Sequence, residues 1–385
     1  MLADVGAVAS TFAATRHERL GRTRLDPQDF EALARAGFTR LGAPHSLGGL
    51  WTDLGMSTRI VCEAVRTIAH ADPSVALVCA MHPTVLSFWL LAGLDGPPAW
   101  VAQCERLFSA ACEGRWSGTI ASEPGSGGDF NETRTTARAG DEPGTYLLTG
   151  DKHMGSGSGV TSFMLTVARP EGEEIPDVFV LSTADLPWDG SAGLTLTRAW
   201  DGFGMSATQS HAFRLDDVTA ERYARPGEAL ALAGQAVSGI ACVFSAVVLG
   251  VVQAAVGEAG ARLRGKRLGA FEQTEWIRVK NELWLAEQAL EGMLAGLEHA
   301  RNDPSRTQYA AGHGKLAIAE AAESCMTRLG RIIGGASFSR AQPFGQWAID
   351  VKALGFLRPP WALGFEQLYA LEFLPASDEA GEAYD

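Results

Sequence analysis

The sequence has little of what proteins use to bind nucleic acids, anionic membrane surfaces or metals. Its 385 residues carry a formal net charge of -13, with 32 Lys and Arg against 45 Asp and Glu, and no run of basic residues. Nucleic acids and anionic lipids attract clustered Lys and Arg, so we expect neither as a partner. No group of His, Cys and carboxylate residues has the spacing of metal ligands, and we expect no metal.

Disulfide motifs and a targeting signal are also lacking. The six cysteines form no Cys-x-x-Cys pair, and most have apolar neighbours, as in "ALVCAMH" and "GIACVFS". We therefore expect buried, reduced thiols in a cytoplasmic protein. The N-terminal residues show no charged region followed by a long apolar core, so they do not resemble a secretory signal peptide.

One long stretch contains no charge of either sign. Residues 229–257 are apolar apart from a few Gln and Ser, and charged residues return at once in "EAGARLRGKR". The length would allow a membrane span, which needs roughly 20 apolar residues. The frequent Gly and Ala and the interrupting polar residues instead predict a fully buried helix in a helical bundle or a subunit interface.

The periodicity of apolar residues divides the chain into three parts. Residues 1–114 have helical spacing, as in "DPQDFEALARAGF", which begins with an Asp cap and a Pro in the first turn. Residues 115–225 have the alternation of short strands, separated by Gly, Pro and Asp clusters. Residues 226–385 return to long helices. We predict a helical domain, a small β-barrel or β-sandwich, and a second helical domain, with a ligand site in the crevice between them.

Two glycine-rich loops flank a predicted β-hairpin in the middle part. "ASEPGSGGD" (121–129) precedes the hairpin, whose turn is "GDEPG" (140–144), and "MGSGSG" (154–159) follows it. Either loop alone is weak evidence, because glycines are common at turns. The order of motifs along the chain is more specific than either loop. "GFTRLGAPHSLGGL" precedes the two loops, and "GFGMSATQSHAFRLDDV" and "RIIGGASF" follow them.

These ordered motifs resemble those of the acyl-CoA dehydrogenase superfamily over nearly the whole chain. The resemblance implies an α+β multidomain fold, with an N-terminal helical domain, a central β-barrel and a C-terminal four-helix bundle. It also implies a homo-oligomer, most simply a tetramer. The cofactor would be FAD or reduced FMN, bound between the two glycine-rich loops and the C-terminal helices, with a small molecule as substrate.

The resemblance assigns roles to individual residues. Ser122 and the Gly128 loop would meet the flavin, Met154 would replace the family's tryptophan against the ring, and Ser156 would donate a hydrogen bond near N5. The remaining candidates would meet the flavin from across a subunit interface: Arg264 or Arg267 at the pyrophosphate, and Gly334 and Gly335 at the adenosine end. A solvated arginine is an equally good interpretation of Arg264 and of Arg267.

The expected catalytic base is missing from the sequence. An acyl-CoA dehydrogenase uses a carboxylate to remove the α proton of its thioester. The ungapped alignment places Arg358 at that position, and an arginine remains protonated. The helix that opens the C-terminal domain, the base's other known location, has no carboxylate in "GIACVFSAVV". Glu366 and Glu372 lie downstream, at a spacing typical of a surface or interface face.

The flavin-dependent monooxygenase branch of the superfamily needs no such base. Its members take reduced flavin from a separate reductase and act on aromatic or heterocyclic substrates. "MGSGSG" resembles that branch, and His82 lies where it has a pocket histidine, although a satisfied core histidine explains His82 as well. We predict a flavin-dependent oxidoreductase with a monooxygenase-type or other non-standard activity, and with Ser156, His82 and Arg358 as catalytic candidates. The alternatives are an acyl-CoA dehydrogenase with a relocated base and a non-catalytic scaffold that keeps the fold.

Overall fold

The computed structural model describes residues 1–299 and 304–373. The N-terminal part is helical. Its α-helices are α1 (Leu2–Ala14), α2 (Arg16–Leu20), α3 (Pro27–Arg35), α4 (Leu54–Ala69), α5 (Pro73–Ala92) and α6 (Pro98–Cys112). Short 3-10 turns at Thr39–Gly42 and His45–Leu47 connect α3 to α4. The predicted helix over "DPQDFEALARAGF" is α3, and the predicted break near Pro73 separates α4 from α5.

The middle part consists of short strands. They are β1 (Ser117–Thr119), β2 (Thr136–Ala139), β3 (Thr145–Gly155), β4 (Phe163–Pro170), β5 (Asp177–Ser182), β6 (Leu194–Arg198) and β7 (His211–Arg222). The pairs β2–β3, β3–β7, β7–β5 and β5–β4 are antiparallel, and β2 pairs β4 in parallel. These five strands close on themselves, so the predicted barrel or sandwich is a barrel. β1 extends it at β4 and β6 at β7.

The barrel has an apolar interior of its own. Leu148, Phe179, Leu181, Phe213 and Leu215 are among its buried residues, and they come from three different strands. Alternate residues of a strand point to opposite faces, which is why the sequence alternates here. The closed barrel is a rigid support from which the loops before β2 and after β3 extend.

The C-terminal part is again helical. Its α-helices are α7 (Glu228–Ala231), α8 (Ala233–Leu263), α9 (Ala270–Glu298), α10 (Pro304–Ile333), α11 (Phe344–Asp350) and α12 (Trp361–Phe373). The 3-10 turns Gly334–Phe338 and Val351–Gly355 flank α11. The order of helices, closed barrel and helices is the α+β multidomain arrangement predicted from the sequence. Residues 374–385, at the end of the predicted third domain, lie outside the described residues.

Two long helices are apolar on all sides. The windows of highest hydropathy in α5 and in α8 are mostly buried inside the protein, although both helices are long and apolar enough to cross a membrane. α8 packs against α4, α5, α9 and α10. Most of α8 is therefore surrounded by other helices, which accounts for the absence of charge along the greater part of it.

Candidate functional site

A large cavity lies where the barrel meets the helices. Its volume is about 1240 Å³, and its walls come from α5, the loops before β2 and after β3, the loop before β7, α8, α10 and α12. A site for one small ligand usually occupies about 300–1,000 Å³. The cavity therefore has room for a flat cofactor and a substrate together.

A buried ion pair joins the first glycine-rich loop to strand β3 of the hairpin, just before the second loop. Lys152 on β3 donates to Glu123 of the first loop, with Nζ 2.6 Å from Oε1, and their side chains are 0% and 5% exposed. Glu123 also accepts hydrogen bonds from the hydroxyls of Thr133 and Thr135 and from the N–H of Arg134. Lys152 donates a second hydrogen bond to the Val167 carbonyl, at 2.6 Å.

These hydrogen bonds keep Glu123 ionised. Burial opposes ionisation of the carboxyl, but the hydrogen bonds from Lys152, Thr133, Thr135 and the Arg134 N–H outweigh it and lower its pKa to about 2. The first loop is therefore fixed to the barrel from beneath. On the cavity side, the N–H of His153 donates to the Ser122 carbonyl at 3.0 Å, which places the two loops edge to edge.

A row of buried hydroxyls lines the cavity beside these loops. Ser156 Oγ lies 2.8 Å from Ser210 Oγ, and Ser210 Oγ lies 2.8 Å from Thr208 Oγ1, which donates to the Met205 carbonyl. All three hydroxyl residues border the cavity, together with Ser122 and Met154. The predicted residues Ser122, Met154 and Ser156 thus share one wall, whereas Thr208 and Ser210 were missed by the sequence analysis.

Arg358 occupies the cavity wall where the alignment expected a catalytic carboxylate. Its guanidinium lies 3.4 Å from the centre of the Phe130 ring and donates to the Gly128 carbonyl. Burial lowers its pKa to about 10, and Asp129 opposes that shift. Arg358 therefore stays charged at neutral pH and connects the first loop to the segment before α12.

Gly128 fits its position for a steric reason. Its φ of +88° favours glycine, and an added Cβ would lie 3.0 Å from Pro360 Cγ. A residue with a side chain would be strained here, which accounts for the glycine. Gly128 itself is not part of the cavity wall, although Asp129 next to it is.

His82 lies outside the cavity. It is 0% exposed, its Nε2 is 2.8 Å from the Thr39 carbonyl, and its Nδ1 accepts from the Ser117 N–H at 2.9 Å. Burial lowers its pKa to about 4, with the Thr39 hydrogen bond opposing the shift. Both ring nitrogens are occupied, so the geometry favours the core histidine over the catalytic histidine that the sequence analysis also considered.

The other candidates also lie away from the cavity wall. Arg264 and Arg267 are exposed between α8 and α9, and Gly334 and Gly335 are exposed after α10. Their predicted contact with a flavin across a subunit interface stays a prediction. Glu366 and Glu372 are exposed on α12 and do not border the cavity.

Asp350 positions the cavity loop before β7. It is buried, and its Oδ1 accepts from the Met205 N–H at 2.7 Å and from Gln346 Nε2 at 2.8 Å. Burial raises its pKa to about 7, against these two hydrogen bonds. Its protonation state therefore changes near neutral pH.

Replacing Asp350 with Asn is expected to remove a pH dependence of stability. The native pKa of about 7 lies above the usual value, so the native state holds more protons than the unfolded state between about pH 4 and pH 7. Stability is present below this window and falls as pH rises through it, by up to about 1.4 kcal/mol per unit. Urea unfolding at several pH values should show a smaller fall for D350N, whose amide oxygen can keep both hydrogen bonds. Parallel pH profiles for the two proteins would contradict this.

Lys315 on α10 is a further cavity residue that the sequence analysis missed. It is 2% exposed, and its Nζ donates to the Pro359 carbonyl at 2.7 Å. A signal for it was present, because Ala311, Lys315, Ile318 and Ala322 follow the helical repeat of one apolar stripe. A lysine in such a stripe is more informative than one on a charged face.

The central strands match a known family model. Residues 118–218 match the model for the acyl-CoA dehydrogenase middle domain. The chain is 28% identical over 352 residues to the amino sugar nitrososynthase DnmZ of Streptomyces peucetius, covering 86% of this chain and 82% of that protein. It is 24% identical to the putative acyl-CoA dehydrogenase YdbM of Bacillus subtilis (strain 168), covering 92% of each.

Solved structures share the whole fold. The FMN-bound structure of TdsC, a dibenzothiophene monooxygenase from Paenibacillus sp. A11-2, superposes with a TM-score of 0.81 at 19% identity. The alignment covers 97% of this chain and 96% of that one. The likeness extends over both helical parts and the barrel.

Proposed function

We propose that this chain, which belongs to the acyl-CoA dehydrogenase superfamily, is a monooxygenase that uses reduced flavin and oxygen to oxidise a small organic molecule in its cavity. The family resemblance and the flavin-dependent oxidoreductase class predicted from the sequence are confirmed by the middle-domain match and the relatives. In the proposed reaction one oxygen atom enters the substrate. The other leaves as water, and the reduced flavin supplies two electrons.

The observation that carries this proposal is the residue at the expected base position. Arg358 stands there, and the only carboxylate that borders the cavity among the described residues is Asp129. Asp129 Oδ1 accepts from the Asn131 backbone N–H at 2.9 Å and from its side-chain amide at 3.2 Å. A carboxylate held within its own loop in this way is a poor candidate for removing an α proton.

The cavity wall suits a flavin. An isoalloxazine ring needs a flat apolar surface and hydrogen-bonding groups along its polar edge. Met154 is 48% exposed, with a φ of +58°, and Trp200 lies on the same wall. The hydroxyls of Ser122, Ser156 and Ser210 supply the polar edge. Reduced flavin bound there would supply electrons to oxygen, and either FAD or FMN fits this requirement.

The chain's own residues would then control water and protons. α5 and α8 present apolar side chains to the cavity and exclude water from it. Ser156 Oγ can donate a hydrogen bond into the cavity while it accepts one from the Ser210 hydroxyl. The Ser210 hydroxyl can accept from the Thr208 hydroxyl only when Thr208 stops donating to the Met205 carbonyl. This row can pass a proton to or from Ser156 Oγ.

Some finer features belong to the same proposal. A separate flavin reductase would supply the reduced cofactor, and the substrate would be an aromatic or heterocyclic compound or an amine rather than an acyl thioester. A homotetramer in the cytoplasm, without nucleic acid or membrane partners, fits the acidic charge and the exposed apolar residues Ile277, Trp284 and Leu285 on α9.

Flavin binding and reaction with oxygen test the proposed function. Purified protein should bind photoreduced FMN or FAD without oxygen. When oxygen is admitted, the bound flavin should recover its visible absorbance more slowly than free flavin. Butyryl-CoA added to the oxidised holoprotein without oxygen should cause no bleaching. Bleaching by butyryl-CoA would establish a dehydrogenase and overturn the proposal, and failure to bind either flavin would favour a scaffold.

A further inference from the structure

We propose that Lys315 binds an acidic group of the substrate, such as a carboxylate, phosphate or sulfonate, inside the cavity. The inference rests on the proposed function in one respect, that this cavity receives the substrate. It adds the chemical class of the substrate: an apolar molecule that carries a negative charge at one end.

The first argument is that Lys315 is buried without a counterion. Its Nζ has three donors, and the one acceptor found among the described residues is the Pro359 carbonyl. No described carboxylate lies within 4 Å, in contrast to Lys152, which is equally buried and paired with Glu123. Burying an ammonium group without a counterion is costly, so an unpaired lysine on a cavity wall is a candidate for binding an anionic ligand.

The second argument is the balance of charge on the cavity wall. Lys315, Lys352 and Arg358 border the cavity, whereas the only bordering carboxylate in the described ranges is Asp129. Lys352 is half-exposed at the edge and lies 3.8 Å from Glu323, so its charge is compensated in part. Lys315 is buried and donates to the Pro359 carbonyl, and the partly buried Arg358 precedes Pro359 in the chain. A cavity with low-dielectric walls and this excess of positive charge attracts anions.

A purely structural role for Lys315 makes a different prediction. Its hydrogen bond to the Pro359 carbonyl supports the segment before α12, and any donor of similar length would keep that support. K315Q retains a donor and removes the charge, whereas K315R retains the charge. The pair of variants therefore separates charge recognition from support of the segment.

A matched pair of dyes tests the proposal without any turnover. 8-Anilinonaphthalene-1-sulfonate and N-phenyl-1-naphthylamine share their aromatic rings, and only the first carries a sulfonate. We expect K315Q to weaken sulfonate-dye binding about tenfold, the effect of one charge-assisted hydrogen bond of about 1.4 kcal/mol. Binding of the neutral dye should change less than about twofold, and K315R should restore the sulfonate affinity. K280Q, at an exposed lysine of α9 that does not border the cavity, should behave as the unmodified protein does.

The outcomes separate this inference from the proposed function. Equal loss of both dyes in K315Q would assign Lys315 a structural role, and unchanged affinity for both would show that it recognises no anion. Either result overturns the inference. Selective loss of the sulfonate dye supports it even if the holoprotein is bleached by butyryl-CoA, in which case only the oxygenase assignment fails.

Discussion

Replacing Lys152 with Met is expected to destabilise the protein by about 3–5 kcal/mol, the usual cost of removing one partner of a buried ion pair. The variant would leave the Glu123 carboxylate buried without its cation and the Val167 carbonyl with only the longer contact from the Thr133 hydroxyl, at 3.3 Å. Methionine fills most of the volume, so the loss reports the charge and hydrogen bonds rather than a cavity. The measurement is the free energy of unfolding in urea.

An exposed ion pair on the same barrel provides the matched control. Arg214 on β7 pairs with Asp151 on β3 at 3.1 Å, and the two side chains are 64% and 54% exposed. R214M should cost no more than about 1 kcal/mol, because water already screens that pair. In addition, the double variant E123Q/K152M should recover part of the stability lost in K152M, since it no longer buries an unpaired charge. Equal losses of unfolding free energy in K152M and R214M would show that the buried pair stabilises the protein no more than the exposed pair does.

The K152M variant should also lose affinity for flavin. Glu123 fixes the loop that carries Ser122, and the pair holds this loop against β3, the strand that contains Met154. If the pair positions the cavity wall, reduced FMN should bind more weakly to K152M than to R214M at a temperature where both are folded. Equal FMN affinities would mean that the barrel alone fixes the loops.

The cavity wall that contains Ser122 and Ser156 could be predicted from the sequence because both residues lie next to the same β-hairpin in the chain. The turn at Gly140–Gly144 makes β2 and β3 antiparallel, and the loops at the two far ends of such a hairpin lie side by side. Glycines and short hydroxyl residues at these ends then indicate a ligand surface.

The features missed by the sequence analysis depend on packing between distant segments. Nothing near His82 in the sequence reveals that Thr39 and Ser117 occupy its two nitrogens. The pairing of Glu123 with Lys152 joins residues 29 positions apart across the loop and hairpin. Ser210 borders the cavity only because β7 pairs with β3 and brings residue 210 to Ser156. The helical stripe could have indicated Lys315, but not the side of the stripe that faces a cavity.

Arg358 shows both what the sequence could predict about the site and what only the structure could add. The substitution of arginine for a carboxylate excludes the usual base, and this follows from the sequence alone. Its stacking on Phe130 and its hydrogen bond to the Gly128 carbonyl could not be predicted, and both show that the side chain also supports the first loop. Loss of Arg358 would therefore affect the loop as well as the cavity's charge.

Replacing Ser156 with Ala is expected to lower substrate oxygenation by about 10²–10³-fold, the usual effect of removing one hydrogen-bond donor that stabilises developing negative charge. Ser156 Oγ is the cavity end of the hydroxyl row through Ser210 and Thr208, so S156A removes the last proton donor and leaves the rest of the row in place. Oxygen consumed by the reduced holoprotein should then leave as hydrogen peroxide. The measurement is the amount of hydrogen peroxide released after oxygen is admitted to protein loaded with reduced FMN. The S156T variant keeps the hydroxyl, so its hydrogen peroxide release should be as low as that of the unmodified protein.

Ser158 provides the control within the same loop. It is buried, and its hydroxyl donates to the Gly155 carbonyl at 2.6 Å instead of reaching the cavity. S158A should therefore cost about 1 kcal/mol of stability while releasing hydrogen peroxide at the unmodified rate. If S158A and S156A released it equally, the effect would come from loosening the loop. If S156A behaved as the unmodified protein does, Ser156 would not be the proton donor, and the role of the hydroxyl row would pass to a residue on another wall of the cavity.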